Sequence, residues 1–291
     1  MTHFLKDRVG RHGIWSIGLR AEEPGRRAEL AEAVAELEEL GYGAVWLGGN
    51  STVGNAVPLI EATSKITVGT SIQSIWQAEA TEAAAEFTDV EAAHPGRFAL
   101  GLGVSHARLS DRYHRPLAAL IAYLDTLDTL DAAGVPADRR LIAALGPKSL
   151  ELTRERAAGS IPYLVTTEHT AHAREILGAA PLLAPELKVV LESDPTRARD
   201  LARGSLAPYL DLPNYTNNFL RHGFTDADVV NGGSDRLVDA VFAWGDDDTI
   251  RARVDAYLDA GADHVALQVV DGNARQSLPR GAWRRLAALL T

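Results

Sequence analysis

The chain has 291 residues, 46% of them hydrophobic and 23% charged, with a formal net charge of −10 and no cysteine. This is the composition of a soluble globular protein, and the length suits one large domain. The acidic balance argues against a nucleic-acid or anionic-membrane surface, so any anionic ligand needs a local cationic site. The absence of cysteine excludes disulfides, thiolate nucleophiles and cysteine-bound metals. The opening residues Met1-Thr2-His3-Phe4-Leu5-Lys6-Asp7-Arg8 lack the apolar core of a signal peptide, and no run approaches the roughly 18 apolar residues of a membrane span. The expected location is therefore cytoplasmic, and the expected partner is a small-molecule substrate rather than nucleic acid or a membrane.

Short apolar runs alternate with helical patterns along the chain. The first strand is predicted at 14–19, followed by a helix over 26–40 with Leu30, Val34, Leu37 and Leu40 on one face. Strands at 44–48 and 67–73 come next, then a helix at 78–93. The turn His94-Pro95-Gly96-Arg97 leads into a strand at 98–103. A helix at 115–133, a strand at 141–145 and a helix at 147–158 follow, then a strand at 161–166 and a helix at 170–177. The last strands are predicted at 187–192 and 264–270, with helices at 195–209 and 248–260 between them.

Eight strands with helical crossovers fit a (β/α)8 TIM barrel or a doubly wound sheet. The even spacing favours the barrel, as does the lack of a Gly-x-Gly-x-x-Gly fingerprint after the first strand. The expected architecture is a single barrel domain over 1–291 with an insertion between strands 7 and 8, at about 212–246. The stretch 193–263 is far longer than one crossover needs. An insertion of that kind serves as a lid or a subunit contact.

In such a barrel the site lies at the C-terminal ends of the strands. The fifth strand ends in Leu145-Gly146-Pro147-Lys148, an apolar run turning into a helix whose first position suits Pro147. Free N–H groups at Lys148 and Ser149, the helix dipole and the Lys148 charge together describe an anion site. The second strand delivers Gly48, Gly49 and Asn50, the third Ser71, Ile72 and Gln73, the fourth Gly103, Val104, Ser105 and His106. His106 is a candidate acid or base near neutral pH; the plainer alternative is a solvated loop histidine. His169 and His172, three apart at a helix start, lack the carboxylate pattern of a metal site. Glycines at 48, 49, 101 and 103 make room for a planar ring or simply for crowded strand ends, and Trp76 is a stacking partner or part of the core. No nucleophile elbow and no paired carboxylates stand at the strand ends. A site of glycines, small polar groups, one histidine and an anion cradle suits a phosphorylated redox cofactor better than hydrolysis.

The stretches 41–49, 90–106 and 144–148 resemble the bacterial luciferase-like monooxygenase superfamily, and within it the actinobacterial oxidoreductases that use the deazaflavin coenzyme F420. Residues 260–265 are similar to the family's approach to its last strand. The resemblance implies a barrel enzyme transferring a hydride between F420 and a small organic substrate, with FMN as the alternative cofactor. FMN-dependent monooxygenation and a catalytically degenerate F420-binding protein are the alternative activities. It implies a homodimer, a phosphate at Leu145, Gly146, Pro147 and Lys148, and a cofactor face at Ser71, Ile72 and Gln73 and at Gly103, Val104 and Ser105. It also implies a non-proline cis peptide at Ser71-Ile72. Two departures stand out. Relatives carry Asp-His where this chain has Gly49-Asn50, and some carry a carboxylate where it has Val104. His106, assisted by Asn50, is then the remaining catalytic candidate, and no metal is expected.

Overall fold

In a computed structural model of the protein, residues 4–130, 133–273 and 276–290 are described. Strands β1 (His12–Ser16), β2 (Ala44–Gly48), β3 (Thr67–Ser71), β4 (Gln73–Ser74), β5 (Phe98–Gly103) and β6 (Arg140–Ile142) come first. They are followed by β7 (Gly159–Ser160), β8 (Leu182–Leu183), β9 (Glu186–Val190), β10 (Phe242–Trp244) and β11 (Val265–Val269). All pair in parallel in the order β10-β9-β11-β1-β2-β3-β5-β6-β7-β8, with β4 on β5. The fold is therefore α/β with a curled parallel sheet. Residues 182–186 are bonded on both flanks: Ala184 N–H reaches Ser160 O and Glu186 N–H reaches Pro162 O, while Asp263 N–H reaches Leu183 O and Ala266 N–H reaches Pro185 O.

Helices α1 (Phe4–Val9), α2 (Arg27–Glu39), α3 (Val53–Glu61), α4 (Ala80–Ala93), α5 (Pro116–Thr129) and α6 (Pro147–Arg156) accompany the first six strands. The rest are α7 (Thr167–Leu177), α8 (Pro195–Leu210), α9 (Pro213–Arg221), α10 (Asp235–Val241), α11 (Asp247–Asp259) and α12 (Arg280–Leu290). On α2 the predicted apolar face holds, with Leu30, Val34 and Leu37 buried. Among the described residues no helix is long and apolar enough to cross a membrane.

The strands differ from expectation in several places: β1 ends at Ser16 rather than 19, β6 ends at Ile142 rather than 145, and the two-residue β8 was not read. The sixth expected strand is short and early, at Gly159–Ser160 rather than 161–166, because Leu164 adopts φ 55 and breaks the extended run. The third is split at Ile72, whose N–H and C=O turn aside to the Gly49 and Ser51 backbone. The short β10 was not read at all: its three residues lie between helices, too few to show a period. The helix predicted to 133 ends at Thr129, and 131–132 lie outside the described residues.

Helices α8, α9 and α10 bury Leu206, Tyr215, Phe219, Leu237 and Val238 in one apolar cluster with Leu164 and Val190. The segment 212–246 thus carries α9 and α10, packed in this cluster, and ends on β10, which pairs with β9 in the sheet. Inside the curled sheet, alternate residues point inward, as the period of two requires. Trp15, Ala44, Trp46, Ala99, Leu141, Ile161 and Ala266 meet there, and Leu5 and Val9 of α1 plug one end.

Candidate functional site

A cavity of about 670 Å3 opens over the C-terminal ends of the strands, within the size range of small-molecule and cofactor sites. Of the residues expected to form a site, Asn50, Ser71, Ile72, Gly103, Val104, Ser105, His106 and Leu145 line it. Gln73, Gly146, Pro147 and Lys148 are not among its lining residues. Gln73 is fully buried beneath the wall, with both side-chain amide atoms lacking a hydrogen-bond partner. Lys148 is exposed on the first turn of α6. The Ser149 N–H expected to be free donates to Gly146 O at 3.1 Å, and Ser149 Oγ folds back to Gly146 O at 2.8 Å. One of the two donors assigned to an anion is therefore engaged in closing the turn.

The third-strand wall is held from three sides. Trp15 Nε1 donates to Ser71 Oγ at 3.0 Å, Ile72 N–H donates to Gly49 O at 3.1 Å, and Ser51 N–H donates to Ile72 O at 3.0 Å. The Ser71-Ile72 peptide is cis. After β5, Ser105 takes φ 52 and turns the chain outward, and Trp76 Nε1 pins Val104 O at 2.6 Å. Trp76 thus braces the loop instead of lining the cavity. His106 is half-buried with its ring 5.4 Å from that of Tyr215. Burial lowers its pKa, and a hydrogen bond with Asn214 partly opposes this. The imidazole is therefore mostly neutral at pH 7.

The inward glycines serve the protein's own side chains. A Cβ on Gly48 would sit 2.3 Å from the Trp15 ring, one on Gly103 2.4 Å from Ile72, and one on Gly101 1.9 Å from Thr70 O. The room they clear is taken, which corrects the reading of these positions as space for a bound ring.

Sequence reasoning missed the polar floor. Lys188 is 0% exposed and Glu186 3%, and their side chains meet at 3.1 Å. Lys188 Nζ also donates to Tyr163 Oη at 2.5 Å and to Gln268 Oε1 at 2.8 Å. The Tyr163 and Tyr209 hydroxyls are 2.9 Å apart. Burial raises the Glu186 pKa, with Lys188 pulling it back down. Burial also lifts Tyr163 and Tyr215 well above the usual phenol range. Tyr163 lines the cavity, and α8 and the turn into α9 close over it with Tyr209, Leu212 and Tyr215. Arg108 stands at its edge, 3.5 Å from Asp211. The signal for the floor was present in Glu186-Leu187-Lys188-Val189: two charges at strand period inside an apolar run place both on the inner face.

Among the described residues, no group of three His, Cys, Asp or Glu is placed to hold a metal ion. His169, beside His222, is buried and has its pKa lowered to about 3 by desolvation. It contacts Asn218 Oδ1 at 3.2 Å.

Comparison with known proteins agrees with this architecture. The profile of the luciferase-like monooxygenase family matches residues 14–130. No curated protein matches the chain. Among solved structures, an F420-dependent secondary alcohol dehydrogenase in complex with an F420-acetone adduct superimposes with a TM-score of 0.71 at 11% identity, covering 97% of this chain and 99% of that one. The coenzyme F420 dependent tetrahydromethanopterin reductase of Methanopyrus kandleri gives 0.68 at 13% identity, covering 97% and 98%. The oxygenating constituent of 3,6-diketocamphane monooxygenase from Pseudomonas putida, in complex with FMN, gives 0.66 at 12%, covering 97% and 96%. At these identities the likeness is one of fold. The chain is thus similar in sequence to the luciferase-like monooxygenase family over 14–130, and similar in fold to these structures along nearly its whole length.

Proposed function

We propose that this chain is an oxidoreductase that holds a deazaflavin or flavin, with F420 as the first reading, and transfers a hydride to or from a small organic substrate. The curled sheet is read as a (β/α)8 barrel and 212–246 as its insertion between strands 7 and 8. The observation that carries the proposal is the cavity of about 670 Å3 over the strand ends, with an apolar wall and a few convergent polar groups. Ser71, Ile72, Gly103, Val104 and Ser105 would hold the ring system. Leu145 and the turn behind it would take the phosphate end, with Arg108 and Lys148 as the nearby cations. The bound cofactor supplies the hydride chemistry. His106, largely neutral, is able to take a proton, and Asn50 offers an amide to a substrate oxygen.

One observation favours FMN as the second reading. A smaller adjoining cavity of about 360 Å3 shares Trp15, Ile17 and Tyr209 with the first and is lined by Asp200 and Asp271, with no Lys or Arg among its lining residues. A poly-glutamate tail directed that way would meet two carboxylates, whereas FMN carries a single phosphate and no tail. The deciding experiment is titration of the purified protein with F420, oxidised and reduced, and with FMN, following Trp fluorescence. Trp15 lines the cavity and reports occupancy. Saturable micromolar binding of F420 alone supports the first reading, and preference for FMN supports the second. Binding of neither removes the cofactor proposal. Turnover with carbonyl and enone acceptors then distinguishes an enzyme from a cofactor-storage protein.

A further inference from the structure

The hydroxyl of Tyr209 is the cavity end of a hydrogen-bond chain that starts at a fully buried ammonium group. Lys188 Nζ has three donors and three oxygen partners: Glu186 Oε1 at 3.1 Å, Gln268 Oε1 at 2.8 Å and Tyr163 Oη at 2.5 Å. With Lys188 donating to it, Tyr163 has its own proton to give, and two acceptors are in reach: Tyr209 Oη at 2.9 Å and Gln268 Oε1, which already accepts from Lys188, at 3.1 Å. When Tyr163 donates to Tyr209, the Tyr209 proton is left to point into the cavity. A cation two links behind a hydroxyl strengthens it as a donor, and burial keeps the charge from being screened. The ammonium also lies 4.1 Å from the Tyr163 ring centroid and 5.4 Å from that of Tyr209. The cavity wall offers the flat rings of Trp15, Tyr215 and His106 and the apolar side chain of Ile72.

We propose that Tyr209, polarised by Lys188 through Tyr163, is the donor for an oxyanion, and that the substrate is a planar conjugated oxygen compound, a phenol or an enolisable carbonyl. This deepens the oxidoreductase reading by naming its substrate class, yet the donor site exists without the cofactor. A donor fixed in a cavity wall favours an oxygen carrying negative charge over its protonated form. Tyr209 is the group that touches the ligand, and Tyr163 and Lys188 are positioning residues behind it. The other titratable or charged groups facing this point are Glu186 below, Tyr215 and His106 at the sides, and Arg108 with Asp211 at the rim.

The test uses the purified protein and 4-nitrophenol, whose phenolate absorbs visibly and whose phenol does not. Binding is followed by absorbance from pH 5 to 9 in the wild type, Tyr209→Phe, Tyr163→Phe and Lys188→Met. The expected result is that the wild type binds the phenolate and lowers the apparent pKa of the bound probe. Tyr209→Phe loses tenfold or more in affinity, and Tyr163→Phe keeps binding but loses the preference for the ionised form. Lys188→Met acts like Tyr163→Phe if it folds, and the tyrosine variants carry the test if it does not. The proposal is overturned if Tyr209→Phe binds as the wild type does, or if the wild type binds phenol and phenolate equally or neither. Because no cofactor enters the assay, failure of F420 or FMN to bind is read separately.

Discussion

The two ends of the curled sheet's interior are filled by opposite chemistry. At the α1 end, Leu5, Val9, Ala44 and Trp46 pack against one another, and the buried polar group there is self-contained. His264, 0% exposed, accepts from Trp46 Nε1 at 2.9 Å through Nε2 and donates from Nδ1 to Gly10 O at 2.9 Å. At the cavity end the same inward positions carry Glu186, Lys188, Tyr163 and Gln268, and their hydrogen bonds run on to Tyr209, which lines the cavity. Burying an ion pair there adds little to stability compared with apolar residues of the same volume. Closed polar groups belong to the fold, and a polar chain that ends at a cavity points to what the cavity holds.

The largest expected effect breaks the ion pair on one side. Lys188→Met leaves Glu186 buried without its partner and should cost about 3–5 kcal/mol at pH 7 by urea unfolding. The burial-raised pKa of Glu186 rises further without Lys188, so the loss should shrink as the pH falls and Glu186 takes up a proton. Combining it with Glu186→Leu should recover most of the stability. A double variant as unstable as the single one would mean that packing, rather than the charge pair, governs the floor.

The α1 end is tested by acid. Burial lowers the His264 pKa from 6.5 to about 4. The folded state therefore binds fewer protons than the unfolded one between those values, and stability is full above pH 6.5 and lost as pH falls through the window. The loss from this residue should approach about 3 kcal/mol by pH 4. His169 and His106 act in the same direction. Carboxylates held low by their partners, such as Glu38 at about 2, contribute only below the unfolded carboxylate range. Denaturation midpoints that stay flat from pH 6.5 to 4.5 would rule out a neutral buried His264.

A smaller change sharpens the same point. Trp46→Phe removes the donor to His264 Nε2 and should cost about 2 kcal/mol. It should also flatten the loss of stability between pH 6.5 and 4, because protonating Nε2 no longer breaks a hydrogen bond and the folded-state pKa moves towards the unfolded one. An unchanged pH dependence would detach the acid loss from His264.

The contrast between these ends also explains what the sequence revealed. The strands at 44–48 and 98–103 were legible as short continuous apolar runs and form with the expected bounds. The third-strand wall and the Gly103–His106 turn were visible because strand ends fall at the site in this architecture. Tyr209 and Tyr215 were not, since they reach the cavity from helices that only the packing of Leu206, Phe219 and Leu237 brings over it. The glycines were legible as points of close approach, but the approaching groups are Trp15 and Ile72, which no local pattern identifies.

The smallest effect concerns the two cations proposed for the phosphate end. Arg108 lines the cavity and shares its charge with Asp211, whereas Lys148 is exposed beyond the lining on a turn already closed by Ser149. A partly solvated charge contributes modestly, so Arg108→Ala should weaken binding of the preferred cofactor by about 1 kcal/mol. Lys148→Ala should weaken it by less, and both effects should fade in high salt because solvated charges are screened. Calorimetric titration of both variants at low and high salt checks the order. A larger loss at Lys148 than at Arg108 would seat the phosphate on the solvent side of the α6 turn, away from the Arg108 rim.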